Sequence, residues 1–326
     1  MIVADDSLGD GTAMDLLPFA PGVPVILITG VGDEQIAARA FTAGISDTLV
    51  KDIGRNYLEQ LPEGTTPDRL IIERKRPAEQ RPIYDCAQVV KSFGASPVMA
   101  HAPEEVGEIA AIASSLVLNI GTLSAELVES MKIAAFSANK RGIPVILDIC
   151  GAGASSFRDR KSMELLNETR ISVIKGNASE IARIAGLDVA TKGVDSAPVG
   201  YDLRKIAASL AQVRNCTVVV TGKEDIVTDA DRSFIIRNGH EMMSYVVGTG
   251  CMATSVIGAF AGAVPEQITE AAAAGLICYE VSAELAVKQA RGPASLKQAI
   301  LDCIYNLSEE ELLSLQKVEE CRIEGE

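Results

Sequence analysis

Short apolar runs alternate with amphipathic stretches along most of the chain, and the spacing is that of βα units. In residues 1–61, β-rich runs at Ile2–Ala4, Val23–Thr29 and Asp47–Val50 alternate with amphipathic stretches at Gly11–Phe19, Asp33–Ala43 and Arg55–Leu61. This rhythm predicts a parallel sheet. It resumes at Ala87. Glu104–Ser114 sets Val106, Ile109, Ala110 and Ala113 on one helical face, Leu116–Ile120 reads as a buried strand, and Ser124 is placed to cap a helix reaching Lys140. Pro144–Asp148, Ser172–Lys175 and Thr217–Thr221 are further strands, and continuous apolar strands imply a parallel sheet covered on both faces. Asp225–Thr228 and Ser233–Arg237 predict an antiparallel hairpin added at the sheet edge. Met252–Ala263, Tyr279–Gln289 and Ser295–Leu307 read as helices, the last two separated by Gly292-Pro293, and Ser308–Leu315 reads as an acidic, solvated tail. Between the two βα regions, the turn-forming Pro62–Pro67 and the charged, proline-bearing Glu73–Arg81 predict a linker within 62–86, with one short strand at Leu70–Ile72.

Composition narrows the class. With 326 residues and 48% hydrophobic content the chain can bury one large core or two smaller ones, which sets it apart from disordered proteins. A formal charge of −14 argues against nucleic acid or an anionic membrane surface as a partner. Apolar runs stay shorter than a membrane span, and Met1–Asp6 lacks the basic flank of a secretory signal, so a cytoplasmic location is expected. Seven cysteines, at 86, 150, 216, 251, 278, 303 and 321, form no Cys-x-x-Cys pair. They read as reduced thiols, suggesting neither a disulfide framework nor a zinc site.

The candidate chemistry gathers where strands end. Val247-Gly248-Thr249-Gly250-Cys251 closes a strand-rich run and opens an apolar helix. Two glycines let backbone N–H groups crowd toward one point, and the helix adds its positive end, so a phosphate is the expected guest. Cys251 then stands beside the anion, where a substrate hydroxyl needs an acceptor; the plainer alternative is a tight turn with a buried cysteine. Asp148 ends a strand before Gly151-Ala152-Gly153-Ala154. Asn177 with Glu180 follows the next strand, either as a capping pair or as a carboxylate turned into the cleft. Carboxylates beside a phosphate site suggest Mg²⁺ held largely through water. His101 and His240 sit in loop contexts and read as structural.

Two resemblances follow from particular residues. Asp5-Asp6-Ser7-Leu8-Gly9-Asp10-Gly11, Pro24–Gly30 and Leu49-Val50-Lys51-Asp52 resemble the second half of a response-regulator receiver domain, a flavodoxin-like fold. That resemblance implies Asp5 as phospho-acceptor with Thr29 and Lys51 beside it, in a truncated piece covering 1–61.

Gly94–Ala100, Leu118–Leu123, Gly176–Glu180, Lys192–Asp195, Asn238-Gly239-His240 and Gly248–Cys251 follow one another as in hydroxyethylthiazole kinases, and the resemblance covers about Ala87 to Leu307. It implies a ribokinase-like α/β fold over 87–326 and phosphorylation of 4-methyl-5-(2-hydroxyethyl)thiazole by ATP with Mg²⁺. It also implies a homotrimer with active sites between subunits. By position, Met99 and Gly248 are implied at the thiazole, Arg158, Thr221 and Gly250 at ATP, Asp148 and Glu180 at the metal, and Cys251 at the substrate hydroxyl. The chain departs from the family in lacking its usual opening strand and helix, in Asp148-Ile149-Cys150-Gly151 for Asp-Pro-Val-Gly, and in Val247 for a threonine. A kinase acting on hydroxymethylpyrimidine is the nearby alternative, although such kinases place aspartate where Cys251 stands. A signalling fusion or scaffold with a receiver remnant is the alternative from another class.

Overall fold

The computed structural model describes residues 77–187 and 202–322, together with five short strands in the first 50 residues. Met1–Ala78 and Glu79–Glu326 are separate compact units. In the first, β1 (Ile2–Asp5), β4 (Val25–Thr29) and β5 (Asp47–Val50) pair in parallel in that order, as the apolar runs predict. Asp5 and Thr29 close their strands; Lys51 lies outside the described residues. A small hairpin joins β2 (Ser7–Leu8) to β3 (Gly11–Thr12), so the expected helix at Gly11–Phe19 does not begin at Gly11. The stretches 33–43 and 55–61 and the strand expected at Leu70–Ile72 lie outside the described residues.

Helix α1 (Pro77–Ser92), all but its first two residues in the second unit, takes in the last ten residues of the stretch expected as linker. Its second half carries the reason: Cys86, Val89 and Val90, with Phe93 just past its end, recur at helical spacing; Val89 is wholly buried and the others pack against the same core. Charge and proline in the first half hide that face from a composition reading.

A seven-stranded sheet runs in the order β12 (Val318–Arg322), β11 (Arg232–Ile236), β10 (Asp225–Thr228), β9 (Thr217–Thr221), β8 (Val173–Asn177), β7 (Val145–Asp148), β6 (Leu116–Asn119). Strands β6 to β9 are parallel and the remaining pairings antiparallel, so the sheet is mixed rather than parallel throughout. Among the described residues no strand pairs beyond β6. The hairpin forms as expected, but β12 covers its outer side. Val-Glu-Glu-Cys-Arg has no apolar alternation, and a charged edge strand of this kind leaves no hydrophobic signature. Ser308–Leu315 is largely helical: Ser308 and Glu311 cap a short helix, α10 (Glu309–Leu315), through a reciprocal box.

Helices cover both faces. One face meets α3 (Ala125–Arg141), α4 (Ser156–Glu168), α5 (Ala178–Ile184) and α6 (Leu203–Arg214) through Leu118, Val145, Leu147, Ile174, Val218 and Val220. The other meets α7 (Thr249–Ala263), α8 (Ile268–Val287) and α9 (Pro293–Asn306) through Ile146, Val173, Val219 and Val227. A shorter helix, α2 (Val106–Ile112), packs on α3 through Val106, Ala110 and Ala134. Local signals agree with this layout: Ser124 accepts from Leu127 N at 3.1 Å, a cap worth about 1 kcal/mol.

Helix α7 fixes the site and is buried nearly all round. Met252, Val256 and Ile257 are fully enclosed, each contributing about 1.5–3 kcal/mol by burial. It lies so close to β6 that a methyl built on Gly258 would run into Val117 Cγ2. No helix among the described residues is long and apolar enough to cross a membrane.

Candidate active site

The parallel strands deliver polar residues to one edge of the sheet: Asn119 closes β6, Asp148 closes β7, Asn177 closes β8 with Lys175 at the middle of that strand, and Thr221 closes β9. Carboxyl ends of parallel strands are where ligands meet open α/β sheets. The first turn of α7 comes to this edge. Gly248 precedes it at φ 96°, a left-handed conformation that favours glycine, and no side chain caps the helix. The N–H groups of its first turn have no intrahelical acceptor, and the helix dipole adds partial positive charge there. An anion is the natural complement.

Asp148 is 1% exposed and is the hub. Its Oδ2 accepts from Thr254 Oγ1 at 2.6 Å and from Asn119 Nδ2 at 3.0 Å, and Lys175 Nζ stands 3.8 Å away. Thr254 lies one turn into α7 and is also 3.0 Å from Gly250 O; its single proton favours the shorter, charged acceptor. Asn119 Oδ1 accepts from Gly121 N at 2.8 Å, which orients the amide. The other Asp148 oxygen, Oδ1, has no hydrogen-bond partner although it is enclosed. A buried carboxylate oxygen without a donor fits a cation.

Glu180 forms the capping pair that its spacing suggests and also reaches the turn after β7. Asn177 Oδ1 accepts from Glu180 N at 2.9 Å and Glu180 Oε2 accepts from Asn177 N at 2.8 Å, a capping box. Oε1 reaches across to accept from Gly151 N at 2.6 Å, which tethers the glycine-rich turn after β7. Burial raises the Glu180 carboxyl above its usual range, against those two N–H donors and Lys175, which favour the anion. Lys175 is itself enclosed, and burial works against its charge. Asp148, Glu180, Cys251 and Cys150 outweigh that effect, so its pKa is raised and it remains an ammonium. A methyl on Gly250 would come within 3.1 Å of Lys175 Nζ, so the bare backbone there makes room for the lysine.

Cys251 occupies the first turn of α7 and is partly exposed. Its thiol is drawn down to about 7, chiefly by a hydrogen bond from Cys150. Burial and Asp148 oppose the shift, while Asn119 and Lys175 assist it. The Cys150 thiol is correspondingly raised.

Arg158 has a different set of partners from a simple phosphate clamp. Nη1 donates to Ile120 O and Cys150 O at 2.8 Å each, and Nη2 donates to Gly121 O at 2.7 Å. The guanidinium thus pins the loops after β6 and β7 together, leaving Nε–H and one Nη2–H for another acceptor. Thr221 Oγ1 is 3.5 Å from Gly176 O, a weak contact that leaves the hydroxyl available. Met99 lies on a coil segment and is half exposed. His240 accepts from Met242 N through Nδ1 at 3.1 Å and caps a short 3₁₀ turn, in keeping with a structural role.

A second acidic pair lies under the antiparallel half. Asp225 opens β10, takes Gly222 N at 2.9 Å on Oδ1, and faces Glu280 of α8. Asp225 Oδ2 and Glu280 Oε2 have no other partner, and burial raises both carboxyls. Each acid acts on the other, and burial favours keeping a proton on the pair.

Sequence reasoning brings Asp148, Glu180, Gly250 and Cys251 to one place, and they do meet. It misses Lys175 and Thr254. A lysine inside the apolar run Val173-Ile174-Lys175 was the available signal, since an unpartnered ammonium has no place in a sheet core. Among the described residues no group of three or more His, Cys, Asp or Glu stands together as a direct metal cage.

Two solved structures with this layering are named as kinases. Pyridoxal kinase from Staphylococcus aureus, in complex with ADP, matches with TM-score 0.51 over 74% of this chain and 93% of that one at 11% identity, a likeness of fold alone. The fold is therefore the ribokinase-like α/β fold, and its strand-end cluster lies where such a fold places ligands. Hydroxyethylthiazole kinase from Pyrococcus horikoshii is more similar, with TM-score 0.65 and 37% identity over 72% of this chain and 88% of that one. A hydroxyethylthiazole kinase from Methanosarcina mazei is 48% identical over 238 residues, 73% of this chain and 91% of its own. One from Chloroflexus aurantiacus is 44% identical over 258 residues, 76% of this chain and 96% of its own. The model of the hydroxyethylthiazole kinase family matches residues 83–310, and the chain belongs to that family. The family match begins at residue 83 and so does not bear out the receiver resemblance expected over residues 1–61.

Proposed function

We propose that the protein transfers the terminal phosphoryl group of ATP to the hydroxyl of 4-methyl-5-(2-hydroxyethyl)thiazole. The observation that carries this reading is the meeting of the uncapped α7 turn with Asp148, joined through Thr254 at 2.6 Å. N–H groups at Gly248–Cys251 receive the developing negative charge on the phosphoryl oxygens, with the Lys175 ammonium behind them. Cys251 Sγ accepts the hydrogen bond of the substrate hydroxyl, so that its oxygen lone pair faces phosphorus. The new O–P bond forms as the bond between the terminal phosphorus and the bridging oxygen breaks; ADP leaves and the hydroxyl proton passes to sulfur. Such transfers are loose and need little deprotonation before attack, so alignment matters more than basicity.

Asp148, through its unpartnered Oδ1, and Glu180 fit a hydrated Mg²⁺, which when bound offsets charge on the nucleotide phosphates. Arg158 holds the loop walls and presents its remaining N–H groups to ATP; Thr221 and Gly250 line the nucleotide, while Gly248 and the Met99 backbone line the thiazole. Exposed Val98, Met99, Tyr245 and Val247 suit burial between subunits of a homotrimer. Incubation with Mg-ATP and the thiazole alcohol should yield the thiazole phosphate and ADP. Turnover of hydroxymethylpyrimidine in its place would overturn the substrate assignment.

A second reading concerns residues 1–61 alone. Parallel strands ending at Asp5 and Thr29 suit a receiver-like piece with Asp5 as phospho-acceptor. Treatment with a small phosphodonor should place an acid-labile label on Asp5, and an unlabelled Asp5 rejects the reading.

A further inference from the structure

In the glycine-rich turn after β7, each N–H from Gly151 to Ala154 has an acceptor. Gly151 N donates to Glu180 Oε1 at 2.6 Å, Ala152 N to Ile149 O at 2.9 Å, Gly153 N to Asp159 Oδ1 at 2.6 Å and Ala154 N to Gly151 O at 3.1 Å. A turn of this composition at a strand end often cradles phosphate through its amides, but these amides are spent within the protein. Gly151 and Gly153 stand at φ 81° and 89°, left-handed conformations open to glycine, and the N–H of each meets a carboxylate. The two carboxylates come from different helices: Glu180 from the start of α5 and Asp159 from the first turn of α4. Asp159 is anchored in turn. Its Oδ2 accepts from Arg183 Nε at 3.0 Å and Nη2 at 2.8 Å, so a guanidinium from the last turn of α5 closes on it.

This turn is the floor under Arg158. A methyl on Gly151 would come within 2.9 Å of Arg158 Nη1, so the guanidinium lies directly on that bare backbone, and Nη1 also donates to Cys150 O at 2.8 Å. Whatever fixes residues 150–154 therefore fixes the direction of the arginine fork. We propose that Asp159 and Arg183 are positioning residues: they lock the glycine-rich turn as a rigid wall that aims Arg158 at the nucleotide phosphates, without touching the nucleotide themselves. A charged acceptor holds the Gly153 N–H about twice as strongly as a neutral one, and the Arg183 fork keeps that carboxylate from rotating away. The aim at the nucleotide rests on the kinase reading, whereas the lock does not.

The full-length protein is compared with Asp159→Ala and, independently, the more conservative Asp159→Asn and the surface change Arg183→Ala. Hydrogen exchange is read by mass spectrometry over residues 149–155, and steady-state kinetics are measured with ATP and the thiazole alcohol varied in turn. Exchange in 149–155 should quicken about tenfold in Asp159→Ala, as expected when a hydrogen bond to a charged acceptor is lost, and by less in Arg183→Ala, with a control peptide over β9 unchanged. Asp159→Asn keeps an oxygen for the Gly153 N–H and should recover part of the protection. KM for ATP should rise in the same order while KM for the thiazole alcohol stays as in wild type; a variant that merely folds less well would lower kcat and leave both KM values alone. Because the two residues share one contact, the double change should raise KM for ATP by less than the product of the single effects. Unchanged exchange in Asp159→Ala overturns the lock. Faster exchange with KM for ATP unmoved, or with both KM values raised alike, overturns the positioning role. A turn that loosens as expected in a protein that phosphorylates no thiazole alcohol overturns the kinase reading and leaves the lock standing.

Discussion

Two pairs of enclosed carboxyl groups lie under one sheet and are used in opposite ways. At the parallel half, Asp148 and Glu180 are surrounded by donors: Thr254, Asn119 and Lys175 around the first, and the N–H groups of Gly151 and Asn177 on the second. One Asp148 oxygen is nevertheless left over. At the antiparallel half, Asp225 and Glu280 face one another with few donors around them, and burial raises both carboxyls, so that a retained proton takes the place of an outside partner. The difference shows that burial alone does not make an acid functional. What matters is whether the surroundings satisfy it completely, or satisfy it and leave one lone pair directed at something still to arrive.

Breaking the first pair should have the largest effect. Glu180→Gln presents an amide N–H₂ to a backbone donor of Gly151 or Asn177 and removes charge from the proposed cation seat. We expect kcat to fall by about 10²–10³-fold. Cys251→Ser keeps a hydroxyl acceptor at the same spot and should lose roughly tenfold, less than the ~10²–10⁴-fold of a general base, because it aligns the hydroxyl more than it deprotonates it. The reverse ranking in steady-state kinetics would show that the sulfur, not the charge framework, dominates.

Thr254→Val sharpens the contrast in stability. It removes one donor from a fully buried carboxylate, and denaturant unfolding should show a loss of about 1–3 kcal/mol. Unchanged stability would mean that Asn119 and Lys175 already satisfy Asp148.

The smallest effect is expected at the second pair, and its sign depends on pH. Both folded-state pKa values there are raised, so the pair stabilises fully at pH below the unfolded carboxyl range and loses that contribution as pH rises through the folded values. Glu280→Gln keeps a donor for Asp225 without a proton to lose. Its melting temperature should match wild type in acid and exceed it in alkali by about 2–4 °C, the shift that ~1 kcal/mol gives in a domain of this size. A gap that stays constant with pH would mean that no proton is shared.

The sequence announces what depends on short-range repetition. Apolar runs placed β6 to β9, and the Ser124 and Asn177 caps placed two helix starts, because each signal lies within a few residues. Asp148, Glu180 and Cys251 were legible as strand-end and helix-start residues for the same reason. Three things were not. Strand β12 is a charged edge that needs only backbone partners from β11. Arg158 spends three N–H groups on carbonyls up to 38 residues away, and carbonyls have no letter in a sequence. Lys175 and Thr254 acquire meaning only from Asp148, with Thr254 106 residues from it in the chain. Residues 1–61 show the limit from the other side: their strands followed the pattern, yet the family match begins at residue 83.

Gly258 takes no part in the chemistry, two turns along α7 from the sulfur, yet it sets how deeply the helix beds on β6 against Val117. It works as a depth stop. The amide donors and the thiol inherit their alignment from it, so widening that notch by a single carbon would misaim the reacting end without touching it. A screen that ranks residues by distance from the ligand would pass over the position on which its geometry hangs.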